Sequence, residues 1–458
     1  LRERIKTALL FFLIIFAIYL SSKLWIDFSS ERKVGIEAKE KEKVELKDYI
    51  SAETAIVNFS KDKHTVLDNP GEQGLFQSFK GFFSDVFTKN DYRVSLIGED
   101  EYEKAIESSR SVVFTFIDKF PLRLIARTFN IMEKNNFIND DSNLKEVAIL
   151  LYSGSAMFKT DASIYKITEL KTSLSLPNSI VNNLELKPNL TYYYNASTIL
   201  GEKSPLYIPY QDEYASYIFD KYTVAHDFDI LDRDNARSFA QRFFNKEFKY
   251  LKELEEKDFS KIYSYDSEVI KLKYDGSIEY FDPLKKIYKE RNLLKSIEAA
   301  IAFLQDYIDE EQPLKLSKIE EITSEDSLGY RISFDYYLDG LKLNYEKDSD
   351  HYASVDVFMD EVRFASVNKA SFNKDSAEAF YTKNILELID KNAILFHTGT
   401  DDNPLKSIDK ISIVYLVMKD EDEAITPKIR IDTKKGYFIF DAKTFRLIKE
   451  RDYELEQS

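Results

Sequence analysis

The stretch Ser267-Glu-Val-Ile-Lys-Leu-Lys-Tyr-Asp-Gly-Ser-Ile-Glu-Tyr-Phe-Asp-Pro283 places two runs of alternating residues on either side of Asp275-Gly276. A period of two marks strands with one buried face, and Asp-Gly supplies the positive-φ backbone of a tight turn. Residues 269–274 and 278–280 therefore read as a hairpin. The plan recurs downstream, where Tyr330-Arg-Ile-Ser-Phe-Asp-Tyr-Tyr-Leu338 alternates up to Asp339-Gly340 and returns through Leu341-Lys-Leu-Asn-Tyr345. Each hairpin has an amphipathic helix to close it. One follows Asn235, read as its cap, and carries Phe239, Phe243 and Phe244; the other aligns Leu294, Ile297, Ile301, Leu304 and Ile308. The spacing predicts two related helix-plus-hairpin modules, residues 205–310 and 311–458.

Upstream, strand and helix patterns alternate. Ala55–Phe59, Tyr92–Ile97, Ser111–Ile117, Glu146–Tyr152 and Ser163–Leu170 read as strands, while Leu75–Phe87 and Glu99–Ser108 carry helical spacing. Residues 49–200 form an expected N-terminal α+β domain. Pro188 to Pro209, with three prolines and little periodicity, reads as a connector.

At the start of the chain, Arg2, Arg4 and Lys6 precede an uncharged run from Thr7 to Ser22, and Lys23, Leu24, Trp25 and Ile26 follow. At about 1.5 Å per residue the run is slightly short for a hydrocarbon core of about 30 Å, but snorkelling of Lys6 and Lys23 extends it through Trp25. We expect a cytoplasmic tail at 1–6, a transmembrane helix at 7–26 and a charged stalk at 27–48, with the bulk of the chain extracytoplasmic by the positive-inside rule. No small-residue cleavage site follows the run, which disfavours a cleaved signal peptide. Tyr19 and Trp25 suit the outer interface. Ala17 and Ser21, one turn apart, permit close approach of another helix, and with Phe12 they are the candidate partner contacts.

The composition of the 458 residues narrows the chemistry. There are 64 Lys+Arg against 80 Asp+Glu, a net charge of −16 that opposes general binding to a phosphate backbone. Zero cysteines remove thiolate nucleophiles, disulfides and thiolate zinc sites. His64, His226, His351 and His397 stand far apart, and none begins a His-Glu-x-x-His helix. The 12 glycines form no phosphate-cradling motif, so no cofactor or metal is expected. Asp227 to Asp234 lacks the glycine and glutamate of an EF-hand and reads as charge leading into a helix N-terminus. Ser153-Gly154-Ser155 reads as a turn, and Glu253-Leu-Glu-Glu256 as a solvated helix face. Carboxylates paired only in space would leave room for a polysaccharide-processing enzyme, and an apolar pocket for a surface ligand-binding protein.

The layout, together with Ser267–Pro283 and the tail Ile425-Thr-Pro-Lys-Ile-Arg430 followed by Gly436-Tyr-Phe-Ile-Phe-Asp-Ala-Lys-Thr444, resembles the YycH (WalH) family of Gram-positive bacteria. The tail is also similar to the closing hairpin of the sister family YycI. Lys428-Ile429 stands where that family often has an aromatic after the proline, and Phe445 where the sister family tends to have glycine. The resemblance implies a non-catalytic accessory protein that acts with a YycI-like protein on the WalK sensor histidine kinase of the WalK/WalR cell-wall system, through transmembrane helices assisted by exterior domains. The expected fold is α+β: one N-terminal transmembrane helix, then a multi-domain extracytoplasmic region of antiparallel sheets with packed helices.

Overall fold

The computed structural model of the chain describes residues 45–71, 74–134, 142–187, 190–201, 204–209, 217–226, 228–244, 251–307, 314–346, 351–380, 384–396, 403–418 and 424–452. Among them no helix is long and apolar enough to cross a membrane. The expected tail, the span at 7–26 and the stalk up to residue 44 lie outside the described residues, as do Phe12, Ala17, Tyr19, Ser21 and Trp25.

The N-terminal strand patterns assemble into an antiparallel sheet of nine strands. Its order is Arg93–Ile97, Ile164–Thr168, Ala156–Thr160, Leu144–Leu150, Ser111–Thr115, Thr54–Ser60, Lys63–Leu67, Tyr193–Asn195 and Tyr207–Pro209. Ser111–Thr115 sits in the middle and is covered on both sides. Val113 packs with Tyr102 of helix Glu99–Glu107. Phe114 meets Phe76 and Phe79 with ring centroids 5.3 and 5.2 Å apart, in a cluster that Phe83 and Phe129 extend. Rings at these distances add edge and stacking attraction to the area they bury.

The hairpins seen in the sequence belong to a second, thirteen-stranded sheet. It runs Lys252–Glu255, Lys261–Tyr265, Glu268–Leu272, Ser277–Phe281, Glu361–Asn368, Ala353–Phe358, Ser327–Leu338, Leu341–Tyr345, Ile408–Val417, Pro427–Thr433, Gly436–Asp441 and Leu447–Asp452, with Leu314–Ser324 also paired to Ser327–Leu338. Only the pairing of Leu341–Tyr345 with Ile408–Val417 is parallel among the described strands. Ser277–Phe281 pairs directly with Glu361–Asn368, so the sheet continues across residue 311. Helix Arg233–Phe244 packs on strands 261–265 and 268–272, and helix Leu293–Tyr307 on strands 327–338, 353–358 and 361–368. Tyr217–His226 and Ala370–Phe380 pair as a separate two-stranded arm.

Four local readings differ from the expectation. The helix read as capped by Asn235 begins at Arg233, and its cap is Asp232, whose Oδ1 accepts from the amides of Asp234 and Asn235 at 2.9 and 3.1 Å. Asn235 instead turns its side chain back to the amide of Asp229. Asp232→Ala should therefore cost about 1 kcal/mol in urea unfolding, whereas Asn235→Ala leaves the cap in place. Glu253 to Glu255 lie on an edge strand and not on a helix. The connector 188–209 is ordered where described: two of its short strands extend the first sheet, and Ala196, Leu206 and Ile208 are buried with Ile385, Leu388, Ile429 and Phe440 from the end of the chain. The last residues of the stalk fold as well. Leu46 and Tyr49, three apart on helix Leu46–Tyr49, are buried, and Tyr49 sets its ring edge-on to Phe334 at 6.4 Å.

Candidate functional site

Where the two sheets approach each other within the unit Glu45–Ser458, a cavity of about 260 Å³ remains. Residues 51–53 and 68–69 line one side; strands 314–324, 327–338, 408–417 and 427–433 line the other. Strand alternation explains the lining. Asp335 and Tyr337, Lys410 and Ser412, and Arg430 and Asp432 are each two apart and so share a face. Their neighbours Phe334, Ile411 and Ile431 turn to the opposite face and are buried there.

The walls carry charges that are largely matched. Asp335, its side chain 3% exposed, is ion-paired with Lys342 and lies 2.8 Å from His351 Nδ1. Burial pushes its carboxyl up, but the charges of Lys342 and His351 outweigh burial and hold it well below the usual carboxylate range. Lys410 Nζ lies 3.0 Å from Asp68 Oδ1. Burial pushes this ammonium down; the carboxylates of Asp68, Glu53 and Asp432 prevail and raise it above an ordinary lysine. Arg430 donates through Nε and Nη2 to Asp432 Oδ1 at 2.9 and 2.6 Å and through Nη1 to Asn344 Oδ1 at 2.7 Å, with its guanidinium 3.9 Å over the Tyr437 ring. Lys315 Nζ donates to the carbonyl of Asp48 at 2.6 Å, tying the Leu46–Tyr49 helix to the cavity wall.

Ser317, His351 and Asp335 meet beside this cavity, a grouping the sequence did not reveal. Ser317 Oγ lies 3.1 Å and Asp335 Oδ1 2.8 Å from the same ring nitrogen, Nδ1. A nucleophile–base relay needs serine on one nitrogen and the orienting carboxylate on the other, so the trio does not form one in this arrangement. Asp335, held ionised, is also unsuited to the general-acid role in glycoside hydrolysis, which asks for a raised carboxyl pKa.

The other residues singled out in the sequence have local roles. Ser153-Gly154-Ser155 is a turn with Gly154 at φ +69°, and the Ser155 amide donates to Ser153 Oγ at 3.2 Å. His226 pairs by its backbone with Ala370; its side chain and His397 lie outside the described residues. No group of three or more His, Asp or Glu among the described residues is placed to hold a metal. His64 is buried, with Nδ1 2.7 Å from Asn58 Oδ1, and burial lowers its pKa. Below about pH 6.5 the unfolded chain then binds a proton that the folded chain refuses, so stability falls as pH drops from 6.5 toward the lowered value. Urea titrations from pH 7.5 to 5 should show this decline, and His64→Gln should flatten it.

The sequence matches no protein-family profile and no curated protein. The crystal structure of YycH from Bacillus subtilis aligns with a TM-score of 0.57 over 87% of this chain and 98% of that one, at 12% identity. The chain shares the YycH fold. At that identity the likeness is one of fold. An uncharacterized protein from Eubacterium rectale (TM-score 0.35, 11% identity, 54% of this chain and 92% of that one) and the C-terminal domain of YpeB from Bacillus megaterium (0.24, 13%, 48% and 97%) align too loosely to carry an argument. Within the YycH fold the closing hairpin expected from the tail is present, with Pro427–Thr433 paired to Gly436–Asp441.

Proposed function

We propose that this chain is a non-catalytic, single-span membrane protein that sits beside a WalK-type sensor histidine kinase, together with a YycI-like protein, and biases its signalling in cell-wall homeostasis. The YycH fold, extending over 87% of the chain, is the observation that carries the reading. The basic start and uncharged run of the first 26 residues support the anchor, with the N-terminus cytoplasmic and the bulk outside. The matched charges of the cavity fit a non-catalytic reading, because Asp335 is held ionised and Lys410 protonated, whereas general acid–base catalysis favours groups whose pKa lies near the operating pH.

An anchor helix shifts a kinase only through a difference in its affinity for the signalling states, typically about 1–3 kcal/mol. Phe12, Ala17 and Ser21 are the proposed contacts on the span, and Tyr19 and Trp25 its outer-interface anchors. Pull-down of the full chain from solubilised membranes, with and without crosslinker, should recover a histidine kinase, and Ala17→Leu should reduce the yield. Recovery of no kinase in either condition contradicts the reading.

A further inference from the structure

We infer that the cavity between the two sheets binds a small zwitterion of amino-acid or dipeptide size, seated between the carboxylate of Glu53 and the ammonium of Lys410. Its volume of about 260 Å³ falls just below the roughly 300–1,000 Å³ of pockets that take drug-sized ligands. Four carboxylates, from Glu53, Asp68, Asp335 and Asp432, and four cations, from Lys315, Lys342, Lys410 and Arg430, make its wall formally neutral. A net anion or net cation entering such a wall loses hydration without gaining an uncompensated countercharge, whereas a zwitterion brings one charge for each of two open groups.

Those open groups are identifiable. Asp335 and Asp432 are committed to Lys342 and Arg430, and Asp68 to Lys410. Glu53 is the cavity carboxylate that has neither ion pair nor side-chain hydrogen bond among the described residues. Lys410 carries three donors, meets Asp68 as an ion pair at 3.0 Å, and keeps 36% of its side-chain surface accessible although carboxylates surround it. An ammonium on the ligand fits Glu53; its carboxylate fits the donors of Lys410. Glu53 follows the docked helix Leu46–Tyr49 by only a few residues, and Ser51 and Ala52 between them also line the cavity. Occupancy therefore tightens the segment through which the first 44 residues join the fold.

Calorimetric titration of the full chain in detergent with glycine, L-alanine and Gly-Gly tests this, with acetate and methylamine as the two half-ligands. At least one zwitterion should bind saturably, at least about tenfold more tightly than either half-ligand, and Glu53→Gln should weaken it at least about tenfold. The exposed Glu53 side chain makes no internal hydrogen bond or ion pair, so the variant should stay folded without ligand, with a modest fall in melting temperature from the lost attraction between Glu53 and Lys410. Amide exchange across 46–53 should slow on binding. No saturable binding by any zwitterion overturns the inference; so do half-ligands that bind equally well, or binding indifferent to Glu53→Gln. Free amino acid and peptide are distinguished by which of alanine and Gly-Gly binds. The binding is separate from the kinase reading, since its absence leaves that reading standing and a failed pull-down leaves the cavity untouched.

Discussion

Asp335→Asn should lower the unfolding free energy by about 3 kcal/mol, because removing one partner of a buried ion pair leaves the other charge uncompensated. The stranded group is Lys342, whose side chain is only 24% exposed, and the ring of His351 loses its carboxylate at 2.8 Å. Urea unfolding at pH 7 measures the loss. The double variant Asp335→Asn with Lys342→Gln should recover part of it, since no lone charge then remains, and the double-mutant cycle isolates the coupling. The pH dependence has a definite sign. A carboxyl held below its ordinary value stabilises the fold at pH above about 4, and that contribution is lost as pH falls from there through the lowered value. The parent should therefore lose stability on acidification through this group, and Asp335→Asn should lose correspondingly less.

Gly329→Ala should cost about 2–3 kcal/mol, the usual penalty for overpacking an interior that cannot yield. A methyl group there would stand 2.6 Å from the Val357 carbonyl and 2.7 Å from a ring carbon of Phe358. Relief is blocked from both sides, since the strand is paired to Leu314–Ser324 on one edge and Ala353–Phe358 on the other. The Gly329 carbonyl is also engaged, accepting from Arg291 Nε at 3.1 Å. Gly81→Ala provides the contrast. Its methyl meets nothing within 4 Å, and Gly81 lies inside helix Lys80–Thr88, so the substitution should stabilise by about 0.5–1 kcal/mol. Thermal unfolding of the two variants beside the parent separates the outcomes: one melting temperature falls and the other rises.

The contrast between what the sequence revealed and what it hid has a physical cause. Strands such as 268–272 and 327–338 were readable because they are long enough to show a period of two and because Asp-Gly marks their turns. The strands at 193–195 and 207–209 were not, since three residues cannot display a period. Asp232 and Asn235 are both good capping residues, and only the position of the first helical turn decides between them. Glu255 faces solvent and Glu253 pairs with Arg233, and a carboxylate can do either from a helix or an edge strand, so their charges did not choose. The cavity was hidden for a deeper reason. Lys410, Ser412, Arg430 and Asp432 alternate with Ile411, Ile413, Ile429 and Ile431, which reads as a strand with one wet face. Polar residues facing water and polar residues facing another polar wall have the same pattern, and the partner that distinguishes them, Asp68, lies far away in the chain.

Photocrosslinking in living cells addresses the proposed role most directly, with a photoreactive residue placed at Phe12, Ala17 or Ser21 of the full chain. The expected result is a membrane-embedded chain joined, from at least one of the three positions, to a sensor histidine kinase. A chain recovered unanchored from the medium, or crosslinks from all three positions to lipid alone, would contradict it.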